Sequence, residues 1–273
     1  MMLNLRYGGI HRDLFIHGVR EPWSTAIFKK ELRRGDVVID VGDNIGYYVL
    51  IEASCVGREG KVYAIEPSLR NLKYLLSNIL LNSVQDRVIV KWLAIGDRNG
   101  VCDIEEGEAP NLDRISLFPF QRQEGCAKIF MKTLDSFIEE EKIRKVDFIR
   151  MDVEGFEYRI IKGMKATLQR FSPKLFIEIH PRMMQKYYGD RFEDFLRELS
   201  RHGYIVKYAV WEPLTPIYFA HSKMLNEWKI VKGLKPEDVL RNSSLCKDWV
   251  RLFLEKESDK KYAEPSRRLL DER

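Results

Sequence analysis

The sequence predicts an α/β fold in which a doubly wound, mostly parallel sheet is covered by helices. Three observations predict it. Short β-branched runs alternate with longer amphipathic segments over residues 36–219, which is typical of parallel strands joined by helical crossovers. The first run, 37–39, enters a glycine-containing turn at 42–46. A later run ends in Glu66-Pro67, and an acidic residue at this position marks the ligand edge of such sheets.

The alternation predicts the elements of the sheet in order. Strands are expected at 37–41, 61–65, 87–93, 146–151 and 174–179. Helices are expected at 46–54, 68–81, 134–143 and 156–170. Segment 100–130 interrupts the pattern, and we expect it either to shape the substrate side of the cleft or to cover a sheet edge. A hairpin joining 204–210 to 217–219 is expected to end the sheet.

These elements divide the chain into three regions. Residues 1–35 are expected to form an N-terminal extension, a strand or hairpin followed by a helix that begins at Ser24. Residues 36–221 form the cofactor-binding domain. Residues 222–273 are expected to form a helical C-terminal extension, because Pro236 favours a helix start and an apolar face follows it. That face consists of Val239, Leu240, Leu245, Trp249, Leu252 and Phe253.

Composition restricts the class of protein. The 273 residues are 45% hydrophobic and 32% charged, as in globular proteins, and no apolar run approaches the roughly 20 residues that cross a bilayer. We therefore expect a cytoplasmic protein without membrane insertion. The net charge of +5 comes from scattered basic residues, which disfavours a nucleic-acid partner. The four cysteines form no C-x-x-C pair, so neither a zinc site nor a disulfide scaffold is expected.

The first turn, Gly42-Asp43-Asn44-Ile45-Gly46, indicates which cofactor binds. A dinucleotide-binding turn has a middle glycine that lets the backbone approach a pyrophosphate, and Asn44 occupies that place here. Asp40 and Asp43 would also repel a pyrophosphate, by about 4 kcal/mol for charges at contact distance. The ammonium and sulfonium groups of S-adenosylmethionine suit these carboxylates. We expect Asp40, Gly42, Asn44 and Gly46 to contact that cofactor.

Two more acidic residues are candidates for binding its adenosine part. Glu66 follows a strand, 20 residues after Gly46, where a carboxylate accepts hydrogen bonds from ribose hydroxyls. NAD sites share this feature, so it does not distinguish the cofactors. Asp97 is a candidate for the adenine amino group, although Gly96-Asp97 is also ordinary turn chemistry.

The fourth and fifth strands end in candidate catalytic residues. Asp152 and Glu154 share one face of an extended chain, as do Glu178 and His180, and such strand ends face the reaction centre. His180 is the preferred general base because imidazole titrates near neutral pH. Alternatively, Glu154 stabilises the next helix N-terminus and His180 is structural.

A divalent metal is a further alternative at the same strand ends. Asp152, Glu178 and His180 would hold it. Mg²⁺ prefers carboxylates and water. The sequence does not favour this interpretation over a metal-free site.

Eight segments together resemble the FkbM family of S-adenosylmethionine-dependent methyltransferases. In chain order they are REP (20–22), GDVVIDVGDNIGYY (35–48), AIEP (64–67), the pair Asn78 and Asn82, LAIGD (93–97), KTLDSF (132–137), VDFIRMDVEGFE (146–157) and LFIEIHP (175–181). The resemblance covers residues 20–182. One position departs from it, since the family usually has alanine where this chain has Asp43.

The resemblance implies a seven-stranded class I methyltransferase sheet with a reversed last strand. It also implies O-methylation of a hydroxyl on a small molecule or glycan, by a monomer or homodimer. Two other functions stay open. RNA methyltransferases that modify base amino groups commonly carry an Asn/Asp-Pro-Pro-aromatic turn, where this chain has DVEG at 152–155. A non-catalytic cofactor-binding protein would not need Asp152, Glu154 and His180.

Overall fold

The computed structural model describes residues 1–105, 107, 113–116, 127–211, 229–242 and 249–257. The predicted strand at 217–219 and the end of the predicted C-terminal extension lie outside these residues. The strands are β1 (Val37–Val41), β2 (Lys61–Ile65), β3 (Val88–Lys91), β4 (Ala94–Gly96), β5 (Gly100–Glu105), β6 (Arg114–Ser116), β7 (Ala127–Thr133), β8 (Phe148–Asp152), β9 (Lys174–Ile179), β10 (Tyr204–Trp211), β11 (Lys229–Leu234) and β12 (Val250–Lys256). The helices are α1 (Ile10–His17), α2 (Pro22–Glu31), α3 (Tyr47–Val56), α4 (Leu69–Leu81), α5 (Leu134–Glu140), α6 (Glu157–Lys162), α7 (Lys165–Arg170), α8 (Pro181–Tyr188) and α9 (Phe192–Arg201), and a 3-10 helix spans Pro236–Asn242.

Among the described residues, the larger sheet has eight strands in the order β11-β10-β12-β9-β8-β1-β2-β3. The five strands from β9 to β3 are parallel, whereas β12 is antiparallel to both neighbours. This confirms the predicted mostly parallel, doubly wound sheet with a reversed last strand. β11 adds a strand beyond the seven that the resemblance implies, and it pairs antiparallel with β10.

The sheet is buried on both faces, which explains the continuous apolar character of its strands. Adjacent residues of β1, Val38 and Ile39, enter hydrophobic cores on opposite faces. Phe28 of α2 packs in the same core as Val38, with its ring 4.9 Å from that of Phe148. Phe137 of α5 lies in the core on the Ile39 side. The helices therefore cover both faces, as predicted.

The segment with the irregular sequence pattern forms a second, smaller sheet, which the chain builds between β3 and β8. Its strand order is β4-β7-β5-β6, with β7 antiparallel to β5 and β5 antiparallel to β6. Ile104 and Ile115 are cross-strand partners, and both are buried. This sheet stands beside the carboxyl ends of the main strands, where segment 100–130 was expected to shape the cleft.

The N-terminal region differs from the prediction. Helix α1 replaces the expected strand or hairpin, and the expected helix, α2, begins at Pro22 rather than Ser24. Pro22 occupies the first helical turn, where its missing N–H costs nothing. Glu21 before it adopts a left-handed conformation with φ of 51°.

The predicted helical C-terminal extension is wrong for its described part. A short 3-10 helix follows Pro236, and β11 and β12 belong to the main sheet. The apolar residues Leu252 and Phe253 enter cores on opposite faces of the sheet. They are therefore neighbours on a doubly buried strand, although their spacing also fitted a helix. Within the described chain, no helix has the length and apolar character needed to cross a membrane.

Candidate active site

A cavity opens at the carboxyl ends of β1, β2, β8 and β9. It contains about 1030 Å³ of space, its open mouth included. The main sheet contributes loop residues after its strands, the small sheet contributes one wall and the N-terminal region contributes another. Residues from these three sources include Gly42, Asn44, Glu66, Asp152, Glu154 and Glu178; Ile104, Arg114 and Ile115; and Ile10, Arg20 and Glu21.

The first turn brings the backbone of β1 against that of β8. Gly42 has φ of +88°, and a Cβ placed on it would lie 2.0 Å from the carbonyl oxygen of Asp152. Asn44 has φ of 54°, and its backbone N–H donates to Glu66 Oε2 at 2.7 Å. Its side-chain Oδ1 is buried and has no hydrogen-bond partner among the described residues. The turn thus leaves this acceptor available to a ligand.

Gly46 does not line the cavity. It has φ of +86°, and a Cβ there would lie 2.7 Å from Leu75 Cδ1 of α4. The structure thus places Gly46 at the packing of the turn against α4.

Asp40 is fully buried and faces Arg150 rather than the cavity. The two residues are register partners on β1 and β8, and Arg150 Nη1 donates to Asp40 Oδ1 at 2.8 Å. Arg150 Nη2 also donates to Asp152 Oδ2 at 3.2 Å. Sequence reasoning missed Arg150, although a charged residue inside the apolar run FIRMD signals a buried ion pair.

The charges around the turn therefore differ from those that the sequence suggested. Burial raises the pKa of Asp43 well above its usual value, and the neighbouring Asp40 carboxylate raises it further. The raised pKa lowers the tendency of Asp43 to carry a negative charge, and Arg150 offsets the charge of Asp40. The two carboxylates do not present the double negative charge that the sequence suggested.

Glu66 lies where the sequence placed it, at the cavity edge after β2. Its Oε1 accepts from the backbone N–H of Ser68 at 2.8 Å, and its Oε2 accepts from Asn44. Burial raises the pKa of Glu66 to about 7, although these N–H groups oppose the shift. Asp97, in contrast, does not line the cavity; its Oδ2 accepts from Arg159 Nη1 at 3.0 Å. The geometry does not support the predicted adenine contact of Asp97.

The predicted catalytic residues converge at the ends of β8 and β9. Asp152 and Glu178 are register partners, and both line the cavity together with Glu154. His180 lies behind them, outside the lining. Its Nδ1 is 3.0 Å from Glu157 Oε1, and its Nε2 is 3.6 Å from both Glu154 Oε2 and Glu178 Oε1.

These contacts change the expected role of His180. Burial favours the neutral ring, but the carboxylates of Glu157, Glu154 and Glu178 outweigh it and raise the pKa of His180 to about 10. An imidazolium at neutral pH cannot accept a proton, which does not favour His180 as the general base. Burial raises the pKa of Glu154 to about 8, against the attraction of His180.

An ion-pair network that sequence reasoning did not identify connects this cluster to both ends of the described chain. Arg251 of β12 is fully buried; its Nε donates to Glu178 Oε2 at 2.8 Å, and its Nη2 lies 3.0 Å from Glu21 Oε1. Glu21 also accepts from Tyr48 Oη at 2.8 Å and from Arg20 Nε at 2.7 Å. The motif REP at 20–22 was one signal, but no local pattern pointed to Arg251.

Comparison with known proteins identifies the family of this chain. Residues 40–206 match the Methyltransferase FkbM domain family. The 2-O-methyltransferase NoeI of Sinorhizobium fredii is 25% identical over 175 residues, which cover 57% of this chain and 70% of NoeI. The hexuronic acid methyltransferase AglP of Haloferax volcanii is 27% identical over 153 residues, covering 55% and 59% of the two chains. The crystal structure of FkbM from Methylobacillus flagellatus has a TM-score of 0.42 at 18% identity, covering 64% of this chain and 44% of that one.

Proposed function

Because this chain belongs to the FkbM methyltransferase domain family, we propose that it methylates a hydroxyl group of a glycan or related small molecule with S-adenosylmethionine. The observation that carries the proposal is the single cavity that joins the turn after β1 to the acidic cluster after β8 and β9. The relatives NoeI and AglP, which are named for 2-O-methylation and for methylation of hexuronic acid, support a sugar acceptor.

The residues of the turn fit the polar groups of S-adenosylmethionine. The unpartnered Asn44 Oδ1 would accept a hydrogen bond from the ammonium group. Glu66 would bind the ribose hydroxyls, and Gly42 would leave the backbone open because it carries no side chain. When bound, the cofactor supplies a methyl carbon that is already electrophilic, since a sulfonium sulfur carries it.

The chain then has two tasks, which are to align the acceptor hydroxyl and to remove its proton. Alignment in such reactions supplies roughly 7–11 kcal/mol. The small sheet and the N-terminal region supply two further walls of the cavity, and they would hold the acceptor there. Arg114, with its guanidinium 4.2 Å above the ring of Tyr187, would form part of that wall.

Glu154 is the group best placed to remove the proton. It lines the cavity, whereas His180 does not, and its raised pKa lies near neutral pH, where general bases work best. Its backbone φ of 51° is strained for a residue with a side chain. His180 would act from behind it, as a positive charge that attracts the ionised carboxylate.

Two measurements test the proposal. Calorimetry is expected to show one S-adenosylhomocysteine per chain, with binding weakened at least tenfold in Glu66→Ala and unchanged in Asp97→Asn, since Asp97 lies outside the cavity. Incubation of cell extracts with labelled methyl donor is then expected to label a glycan or small-molecule fraction. Binding of NAD instead, or label only in RNA, would contradict the proposal.

A further inference from the structure

The inner end of the cavity carries three potential metal ligands. One atom each from Asp152, Glu178 and His180 lie within 4.8 Å of one another. Asp152 and Glu178 are adjacent in the sheet, and His180 follows β9 directly. Because rigid strand ends hold all three, little rearrangement is needed to bring them around one ion.

The imidazole is oriented as in protein metal sites. Its Nδ1 faces Glu157 Oε1 at 3.0 Å, which directs Nε2 towards Glu178 and Glu154. Glu157 is fully buried, and the same Oε1 also accepts from the backbone N–H of Gly155 at 3.0 Å, so it holds the ring firmly. Metal-binding histidines commonly donate their other nitrogen to a carboxylate in this way.

The charges around the cluster also favour a cation. Three carboxyl groups, those of Glu154, Glu157 and Glu178, surround one imidazole. Two arginines that pair with the cluster are each shared with a further carboxylate: Arg150 also pairs with Asp40, and Arg251 also pairs with Glu21. Buried carboxylates need more positive charge than these groups supply.

We propose that a divalent cation of the Mg²⁺ or Mn²⁺ class displaces the proton from His180 Nε2 and binds that nitrogen together with one carboxylate oxygen each from Asp152 and Glu178. Oxygen-rich ligand sets suit these ions. Asp152 and Glu178 line the cavity, so the remaining coordination positions face the space where the acceptor would enter. The role of the ion rests on the proposed function: it would supply Lewis acidity towards the acceptor hydroxyl, with Glu154 lining the same cavity.

The sequence did not favour this interpretation, because the residue types alone also fit a metal-free base. The structure adds the buried, oriented imidazole and the partial exposure of the two carboxylates to the cavity. A metal site with an open position towards a cavity is typical of catalysis rather than of structural support.

Titration of Mn²⁺ into the chelator-treated full-length chain at pH 8, followed by electron paramagnetic resonance, tests the site. One Mn²⁺ per chain is expected. Asp152→Asn is expected to weaken binding at least tenfold, and Glu157→Gln by about 10–100-fold, as for other carboxylates behind a histidine ligand. The control Asp194→Asn, on an exposed ion pair with Arg197, is expected to bind Mn²⁺ like the wild type.

Two results would overturn the proposal. One is the absence of stoichiometric Mn²⁺ binding in a chain whose thermal unfolding shows that it is folded. The other is equal Mn²⁺ affinity in the wild type, Asp152→Asn and Glu157→Gln. The methyltransferase proposal is judged separately, by binding of S-adenosylhomocysteine in the presence of EDTA. A chain that binds it and methylates its acceptor without a metal would refute the metal site alone.

Discussion

Replacing Gly42 with alanine is expected to damage both stability and cofactor binding. The added Cβ would lie 2.0 Å from the carbonyl oxygen of Asp152, and ordinary contact begins at 3.4 Å. The turn and the end of β8 must therefore separate by about 1.4 Å. The left-handed φ of +88° costs about 1–2 kcal/mol for any residue with a side chain, and overpacking adds about 1–3 kcal/mol.

Gly35 provides a matched control for this substitution. Its φ is +81°, close to that of Gly42, but the nearest atom to an added Cβ is 4.0 Å away. Gly35→Ala therefore carries the backbone cost of about 1–2 kcal/mol without the clash. Urea unfolding of both variants gives the difference, which we expect to be about 1–3 kcal/mol.

Cofactor binding separates the two variants further. A displacement near 1 Å can cost about a hundredfold where groups must be aligned, so Gly42→Ala is expected to bind S-adenosylhomocysteine at least tenfold more weakly. Gly35→Ala is expected to bind it as the wild type does. Equal destabilisation together with equal affinity in the two variants would refute the proposed close approach of the turn to β8.

Three other perturbations have defined outcomes. The rate of methyl transfer is expected to rise as pH increases through about 8, because Glu154 accepts a proton only when ionised. Glu154→Gln is expected to abolish this pH dependence and to lower the rate by about 10²–10⁴-fold. Both effects are measured as kcat against pH. Burial opposes the ionisation of Glu21, yet Arg251 and Arg20 lower its pKa to about 2. The contribution of ionised Glu21 to the free energy of unfolding is thus fully present above pH 4.5, and it falls by about 3 kcal/mol as the pH decreases towards 2. Urea unfolding at these pH values should find this loss in the wild type and not in Glu21→Gln. Arg150→Met leaves Asp40 buried without its cation and is expected to cost about 3–5 kcal/mol, part of which Asp40→Asn restores in the double variant.

The sequence predicted the parts of the fold that depend on local pattern. The bounds of β1, β2 and β9 agree with the predicted strands, since a β-branched run between turn residues is distinctive over a few positions. For the same reason Asp152, Glu154 and Glu178 were expected at one edge of the sheet. Parallel strands bring their carboxyl ends together regardless of how the rest of the chain packs.

The remaining differences arise from contacts between distant parts of the chain. β12 was read as a helix because only its position between β9 and β10 shows that both of its faces are buried. Helices α8 and α9 were not anticipated as separate elements. The contact between His180 and Glu157 could not be predicted, because the two residues lie 23 positions apart in the chain and only the fold brings them together.

The insertion of β12 between β9 and β10 also has a consequence for biosynthesis. A growing polypeptide that has emerged from the ribosome as far as β10 already contains the turn, Glu66 and all the acids after β8 and β9. Until Val250–Lys256 follows, the sheet has a gap beside β9, and Glu178 and Glu21 lack their shared arginine. We therefore expect a competent enzyme only late in translation, and early release of the chain should yield a protein without activity.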